Sequence, residues 1–149
     1  MPSVEKVART DAGLAAELRI AVMRLRRRLA SERQPGNDLS MNAMAVLGLL
    51  HRKGEQTVGQ LAAFERVQPP SMTRTVTCLQ DGGYVERRPH PTDGRQVVVV
   101  LTDLGRDTVI ADRRRRDEWL TRRLAALSTE ERDLLRRAAP LLDRLAQED

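Results

Sequence analysis

The sequence contains very little cysteine, few aromatic residues and no long apolar run, and each shortage excludes a class of protein. One of the 149 residues is cysteine, so no disulfide can form within the chain. Aromatic residues make up 2%, so leucine, valine, alanine and methionine must build the core. No apolar run reaches the roughly 18 to 20 residues of a membrane-spanning helix, and residues 1–10 lack the apolar stretch of a signal peptide. We therefore expect a cytoplasmic domain without a membrane partner.

Residues suited to catalysis or metal binding are equally scarce. The two histidines are His51, in an apolar segment, and His90, in a polar one, and neither has a second ligand at metal-binding spacing. The sequence has no phosphate-binding loop, dinucleotide-binding motif or nucleophile elbow. It therefore predicts that the protein is not an enzyme and has no catalytic residues, no metal and no cofactor.

Charge is plentiful and consists mostly of arginine. All but two of the 26 basic residues are arginine, and the net charge is +5. A basic excess favours polyanions such as nucleic acids as partners. The runs Arg26–Arg28 and Arg113–Arg116 cannot each face a single phosphate backbone, because successive helical residues lie about 100° apart. We expect most of these arginines to be solvated or paired with neighbours such as Asp112, Asp117 and Glu118; a direct DNA role for Arg113–Arg116 is the alternative.

Residues 57–102 have the pattern of two helices joined by a tight turn and followed by a β-hairpin. Thr57 and Gln60 can form a capping box at the start of the first helix. After a break at 65–68, the segment P-P-S-M-T-R-T-V-T-C-L (69–79) predicts a second helix, with prolines where a helix start tolerates them. The segments Y-V-E-R-R (84–88) and V-V-V-V-L-T (97–102), the second rich in β-branched residues, flank a turn containing Asp-Gly and predict a hairpin. This arrangement is typical of proteins that place a helix in the major groove of DNA and a wing along its backbone.

The second predicted helix has one apolar side and one polar side. At about 100° per residue, Met72, Thr75, Val76 and Leu79 share a side that we expect to pack on Leu61, Ala62 and Val67. Threonine and arginine on the other side can contact base edges, and arginine can donate two bonds to guanine. We predict DNA contacts from Pro70, Ser71, Thr73, Arg74 and Thr77. The alternative is a merely solvated helix face.

The predicted hairpin carries arginines that would project from the domain. Contacts from such residues to phosphates fix the register of a protein on DNA and make its affinity depend on salt. We predict wing contacts from Arg87, Arg88 and Arg95.

Amphipathic helices flank this central unit. Apolar residues repeat at helical spacing from Asp11 to about Glu32, and Ser40 can cap a second, largely apolar helix that extends to about Arg52. Beyond the hairpin, a long helix is expected from 102–103 to about 127. The last helix begins with a capping box at 128–131, and Pro140 predicts a kink or a restart within it.

The terminal helices carry more leucine than so small a domain needs for its own core. A dimer interface would cover this surplus, whereas a helical bundle within a monomer is the alternative. We predict dimerisation through Leu14, Leu18, Leu134, Leu141, Leu142 and Leu145.

The order of these motifs resembles the MarR family of bacterial regulators. The resemblance covers nearly the whole chain and is carried by L-A (61–62), V-x-P-x-S-M-T-R-x-V (67–76), D-G-R (93–95) and L-T-D-L-G-R (101–106). It implies a dimeric winged helix-turn-helix repressor or activator that is often released from DNA by a small ligand or by oxidation. By position, Arg95 would reach a minor groove and Asp93 would orient it. Pro69-Pro70 and Cys78 depart from the usual pattern, and a redox role for Cys78 stays open.

We therefore predict a single MarR-like domain over residues 1–149 of mainly α structure with a small β-hairpin wing. The winged helix-turn-helix would occupy about 40–102, and the dimerisation helices about 11–33 and 103–147. The predicted function is sequence-specific regulation of transcription by a homodimer on a pseudo-palindromic operator in double-stranded DNA, as a repressor modulated by a small-molecule effector. The alternative is a winged-helix module for nonspecific DNA or protein contacts.

Overall fold

The computed structural model describes residues 10–147, so residues 1–9, which carry the signal-peptide expectation, lie outside the described residues. Within the described range the elements follow the order α1 Asp11–Ala30, α2 Met41–Lys53, β1 Gln56–Thr57, α3 Val58–Glu65, α4 Pro69–Asp81, β2 Val85–Pro89, β3 Val97–Leu101, α5 Asp103–Ala125 and α6 Thr129–Gln147. Two compact units emerge: Ala30–Arg115, and residues 10–29 together with 116–147. Every helix in the described range is too short or too polar to span a membrane.

Helix α2 supplies the centre of the core in the unit Ala30–Arg115. The predicted cap is confirmed, since Ser40 Oγ accepts from the backbone N–H of Ala43 at 3.1 Å. Gly54 ends the helix with a φ of 78°, a conformation that glycine adopts without strain. Its apolar segment is buried, through Ala43, Met44, Val46, Leu47, Leu49 and Leu50.

A capping box and a left-handed residue set the bounds of helix α3. Thr57 Oγ1 accepts from the Gln60 N–H at 3.1 Å, and Gln60 Oε1 accepts from the Thr57 N–H at 2.9 Å, as predicted. Arg66 follows the helix in the left-handed conformation, with φ 53°. This places Val67 so that its N–H donates to the Ala62 carbonyl at 3.0 Å, which closes the turn before α4.

The predicted hairpin is confirmed and belongs to a three-stranded antiparallel sheet in the order β1-β3-β2. Strands β2 and β3 pair over their whole length, from Val85 opposite Leu101 to Pro89 opposite Val97. Strand β1 was not predicted, because two residues are too short to show an alternating pattern.

The chain leaves the hairpin through close contacts around Tyr84. The Thr102 N–H donates to the Tyr84 carbonyl at 3.1 Å, and the Thr102 hydroxyl donates to the Gly83 carbonyl at 2.6 Å. The same hydroxyl accepts from the Gly105 N–H at 3.2 Å and so caps α5. Gly105 is buried, and a Cβ there would overlap the Tyr84 carbonyl oxygen. The motif L-T-D-L-G therefore joins the wing to α5 with a cap and a close backbone approach.

Asp112 on α5 holds the loop that precedes α2. Its carboxylate is fully buried and accepts from the Gln34 backbone N–H at 2.9 Å and from Asn37 Nδ2 at 2.8 Å. The sequence suggested only that Asp112 pairs with neighbouring arginines. In the run that follows, Arg114 is exposed whereas the other three arginines are half-buried, which agrees with the expectation that they cannot share one face.

The terminal unit consists of α1, the later part of α5, and α6. Helix α1 ends at Ala30, slightly before the predicted boundary. The capping box of α6 is confirmed, with the Glu131 N–H donating to Ser128 Oγ at 3.1 Å and the Ser128 N–H donating to Glu131 Oε2 at 2.8 Å. Helix α6 continues through Pro140, so the predicted restart is wrong, while the kink stays a prediction.

Trp119 connects two elements of this terminal unit. The guanidinium carbons of Arg28 on α1 and Arg123 on α5 lie 4.9 and 5.3 Å from the centroid of its ring. Cations at this distance from a ring face are attracted to it, so the tryptophan helps to hold α1 against α5.

Candidate nucleic-acid interface

Helix α4 presents the two sides that its sequence predicts. Met72, Val76 and Leu79 are at most 3% exposed and pack in a core cluster that contains Leu61 and Ala62. On the opposite side the predicted DNA-contacting residues are available: Pro70, Thr73, Arg74 and Thr77 are exposed, and Ser71 is half-buried. A helix held firmly by its apolar side thus displays a small, polar, arginine-bearing surface.

The two prolines at the start of α4, which depart from the usual pattern, change the groups that this helix start exposes. Gln68 occupies the cap position without a side-chain hydrogen bond, and Pro69 and Pro70 follow at the first two helical positions. Because proline has no backbone N–H, two donors that would otherwise need a cap are missing. The helix start consequently offers fewer N–H groups to a phosphate than an ordinary helix start does.

The threonine hydroxyls on α4 point back along the helix. Thr73 Oγ1 donates to the Pro69 carbonyl at 3.0 Å, and Thr77 Oγ1 donates to the Thr73 carbonyl at 2.9 Å. A hydroxyl has one donor and two acceptor lone pairs. These threonines therefore offer methyl groups and lone pairs to a partner rather than O–H donors.

Arg74 is the charged group of the exposed face. The one hydrogen bond that its side chain makes within the described range is a long one, 3.5 Å from Nη2 to Ser71 Oγ. A guanidinium carries five N–H donors in a planar fork, so this contact leaves Arg74 able to donate two bonds to a guanine edge.

Arg87 and Arg88 were predicted as a pair of wing contacts, but the structure separates them. Alternation along β2 places Arg87 on the side of buried Val85, where its Nη2 donates to Thr77 Oγ1 at 3.0 Å and its Nη1 bonds to Gln80 Oε1. Arg88 is on the other side of the strand, in an exposed ion pair with Glu86 at 2.9 Å. Arg88 is thus exposed to a DNA backbone but would have to exchange Glu86 for a phosphate, whereas Arg87 links the wing to α4.

The tip of the wing is held by side-chain acceptors. Asp93 Oδ1 accepts from the backbone N–H of Arg95 at 3.1 Å, so the aspartate shapes the turn that carries Arg95. His90 Nδ1 accepts from the backbone N–H groups of Thr92 and Asp93 at 3.2 and 3.1 Å. Asp93 and Arg95 are both exposed. These hydrogen bonds define the turn at the tip, where Arg95 is exposed.

Sequence reasoning missed the roles of Arg87 and His90, although signals for both are present. Strand alternation from Val85 places Arg87 on the face that meets α4. His90 precedes its two donors by two and three residues, the spacing at which an asparagine or aspartate side chain forms a turn. Within the described range no three histidine, cysteine, aspartate or glutamate side chains are grouped so that they could hold a metal ion.

Helix α3, the turn before α4, helix α4 (the recognition helix) and the wing formed by β2 and β3 define the class of the fold as a winged helix-turn-helix. Residues 39–97 match the model of the MarR family. Over 139 residues the chain is 49% identical to an uncharacterised HTH-type transcriptional regulator of Mycobacterium bovis, covering 93% of this chain and 96% of that protein. The chain belongs to the MarR family of transcriptional regulators.

Solved structures show the same fold. A protein of Pseudomonas aeruginosa described as a transcriptional regulator matches with a TM-score of 0.84 at 38% identity, covering 93% of this chain and 97% of that one. A MarR family protein of Bacillus stearothermophilus matches with a TM-score of 0.80 at 23% identity, covering 94% of this chain and 97% of that one. The relatives are named as transcriptional regulators and not as enzymes.

Proposed function

We propose that the protein is a homodimeric repressor that binds a pseudo-palindromic operator sequence-specifically and is modulated by a small-molecule effector. DNA binding is implied by the family. The observation that carries sequence specificity is the exposed polar face of α4, on which Arg74 lies beside Thr77 and away from the core. Homodimers and repression are typical of the family, which supports the proposed homodimer and the proposed role as a repressor.

In this proposal the base and backbone contacts come from different elements. Arg74 contacts a guanine edge in the major groove, while Pro70, Ser71 and Thr73 contact neighbouring base edges or methyl groups. Arg88 and Arg95 contact the backbone, with Arg95 directed into the adjacent minor groove and Asp93 shaping its turn.

The proposed dimer rests on apolar side chains that the single chain leaves uncovered. Helix α6 has no buried residue among those described, and Leu134, Leu141 and Leu145 are 57%, 50% and 64% exposed. On α1, Leu14 is 50% exposed and Leu18 is half-buried. Large apolar side chains left exposed at helical spacing along one side of α6 are typical of an interaction site, and a second copy of the chain would cover them.

Fluorescence anisotropy tests the DNA-binding proposal. The protein is titrated into the duplex upstream of its own coding region and into a shuffled duplex of equal composition over a salt series. We expect strong preference for the native duplex with two chains per site. Equal, steeply salt-dependent binding to both duplexes, followed by no enriched sequence in a random-sequence selection, would favour the nonspecific alternative.

The variant Arg74→Ala separates base contact from general attraction. On the preferred duplex it should lose about 1–3 kcal/mol of binding free energy, with base preference relaxed at one position. On the shuffled duplex the loss should be much smaller. An equal loss on both duplexes would show that Arg74 acts only through its charge.

Sedimentation velocity with Leu141→Glu tests the dimer. A buried, unpaired carboxylate would be strongly unfavourable in an apolar interface, so the variant should sediment as a monomer. Gln147→Glu is the matched control, because Gln147 is exposed and lies at least about 120° around α6 from Leu141 and Leu142. Dimers of both variants would place the interface elsewhere.

A further inference from the structure

Thr77 and Arg87 form a polar contact between the recognition helix and the wing. Thr77 Oγ1 donates to the Thr73 carbonyl at 2.9 Å and accepts from Arg87 Nη2 at 3.0 Å. The guanidinium of Arg87 is also bonded to Gln80 Oε1, so it is held at two points on α4. Arg87 is half-buried although Thr77 and Gln80 are exposed.

Thr73, one turn earlier on the same exposed face, provides a comparison. Its hydroxyl makes the same backward bond, to the Pro69 carbonyl at 3.0 Å, but it accepts from no arginine among residues 10–147. Since a hydroxyl has one donor and two lone pairs, Thr73 retains two lone pairs and its methyl group. Thr77 retains one lone pair, beside a bound guanidinium, and its methyl group.

We propose that Thr77 recognises a thymine through its methyl group and that Arg87 is a positioning residue that holds the Thr77 hydroxyl toward the wing. Thymine is the base that displays a methyl group in the major groove, and threonine methyl groups are suited to contact it. With its proton and one lone pair engaged inside the protein, the Thr77 hydroxyl contributes little to base contact. The inference rests on the proposed sequence-specific DNA binding.

The expected size of the effect follows from the burial of one methyl group. Removing it from the thymine should weaken binding about fourfold per half-site. Deoxyuridine differs from thymidine only by this methyl, so it is the probe with the smallest change.

The experiment begins with a random-sequence selection by the purified full-length protein to obtain a preferred duplex. Each thymine of that duplex is then replaced by deoxyuridine, symmetrically in both half-sites, and affinities are measured by anisotropy. One thymine position should respond to the replacement in the wild type and in Thr77→Val, which keeps a methyl group. The same position should stop responding in Thr77→Ser, which keeps only the hydroxyl.

The opposite pattern, with discrimination kept by the serine variant and lost by the valine variant, would overturn the proposal in favour of hydroxyl contact. Thr73→Ser is the matched control and should leave that position unchanged. If Thr73→Ser removes the response instead, or if no thymine responds, Thr77 does not have the proposed role.

Arg87→Ala tests the positioning role against the phosphate contact predicted from the sequence. Positioning predicts reduced thymine discrimination with an unchanged salt dependence, whereas Arg88→Ala should lower the salt slope by about one per contact. A slope lowered by Arg87→Ala with thymine discrimination intact would overturn the positioning role.

Failure of the inference is distinguishable from failure of the proposed function. If the selection enriches no sequence, specific DNA binding fails and the Thr77 proposal falls with it. If the selection succeeds and no variant at position 77 alters thymine discrimination, only the Thr77 proposal falls.

Discussion

Replacement of Gly105 by alanine should destabilise the protein although it adds only a methyl group to a helix. The new Cβ would overlap the Tyr84 carbonyl oxygen and lie 2.9 Å from Leu101 Cδ2. Relief by movement would disturb the bond from the Thr102 N–H to that carbonyl and the cap from Thr102 to Gly105. Overpacking costs about 1–3 kcal/mol and each weakened bond about 1 kcal/mol, while the helical preference of alanine returns about 1 kcal/mol. We expect a net loss of about 2–4 kcal/mol.

Urea unfolding followed by far-UV circular dichroism at fixed protein concentration measures this loss. Gly59→Ala is the matched control, since Gly59 also lies in the first turn of a helix and a Cβ there would meet only Thr57 Oγ1, at 3.9 Å. That variant should be neutral or up to about 1 kcal/mol more stable. A Gly105→Ala protein as stable as the wild type would show that the wing and α5 do not approach as closely as the structure indicates.

Substitutions at three further positions test the turn before α4, the tip of the wing and the loop before α2. Arg66→Gly should stabilise the protein by about 0.5–1 kcal/mol in urea unfolding, because Arg66 has a φ of 53° that costs glycine nothing sterically; a loss would contradict this. His90→Ala should weaken DNA binding in anisotropy titrations by loosening the wing tip, whereas His90→Asn, whose Oδ1 can accept the same two backbone N–H groups, should preserve it. Equal affinities of the two variants would exclude this role. Asp112→Ala should lower the free energy of unfolding in urea by about 2–3 kcal/mol, because it leaves the N–H groups of Gln34 and Asn37 without this acceptor. Asp112→Asn should lower it less. An unchanged urea midpoint for Asp112→Ala would show that Asp112 does not hold the loop.

Local sequence signals predicted the helices and the hairpin because their causes are local. The caps at Ser40, Thr57 and Ser128 each satisfy donors within three residues, so the residue types at that spacing specify the helix starts. The buried side of α4 follows from the helical repeat of Met72 and Val76 in the same way.

Contacts between elements distant in sequence were not predictable to the same degree. The bonds from Asp112 to the loop before α2 span more than seventy residues, and no local pattern distinguishes that aspartate from its neighbours. Gly105 lies within the motif L-T-D-L-G-R. The reason why glycine is needed there is the approach of the Tyr84 carbonyl, which appears only when the strand and the helix are packed together.

In the candidate site, too, local sequence shows which residues are basic, whereas only the packing of distant elements shows which arginines are available to DNA. Arg74, Arg87 and Arg88 carry the same charge, so charge alone predicts a DNA contact for all three. Packing gives them different surroundings: Arg74 has one weak contact, Arg88 has an exposed ion pair that competes with phosphate, and Arg87 is bonded to two side chains of α4. A guanidinium engaged at two points must give up those bonds before it binds elsewhere. We therefore expect the contribution to DNA affinity to be largest for Arg74, smaller for Arg88 and smallest for Arg87. Binding measurements on the three alanine variants over one salt series would establish that order, and a dominant loss at Arg87 would contradict it.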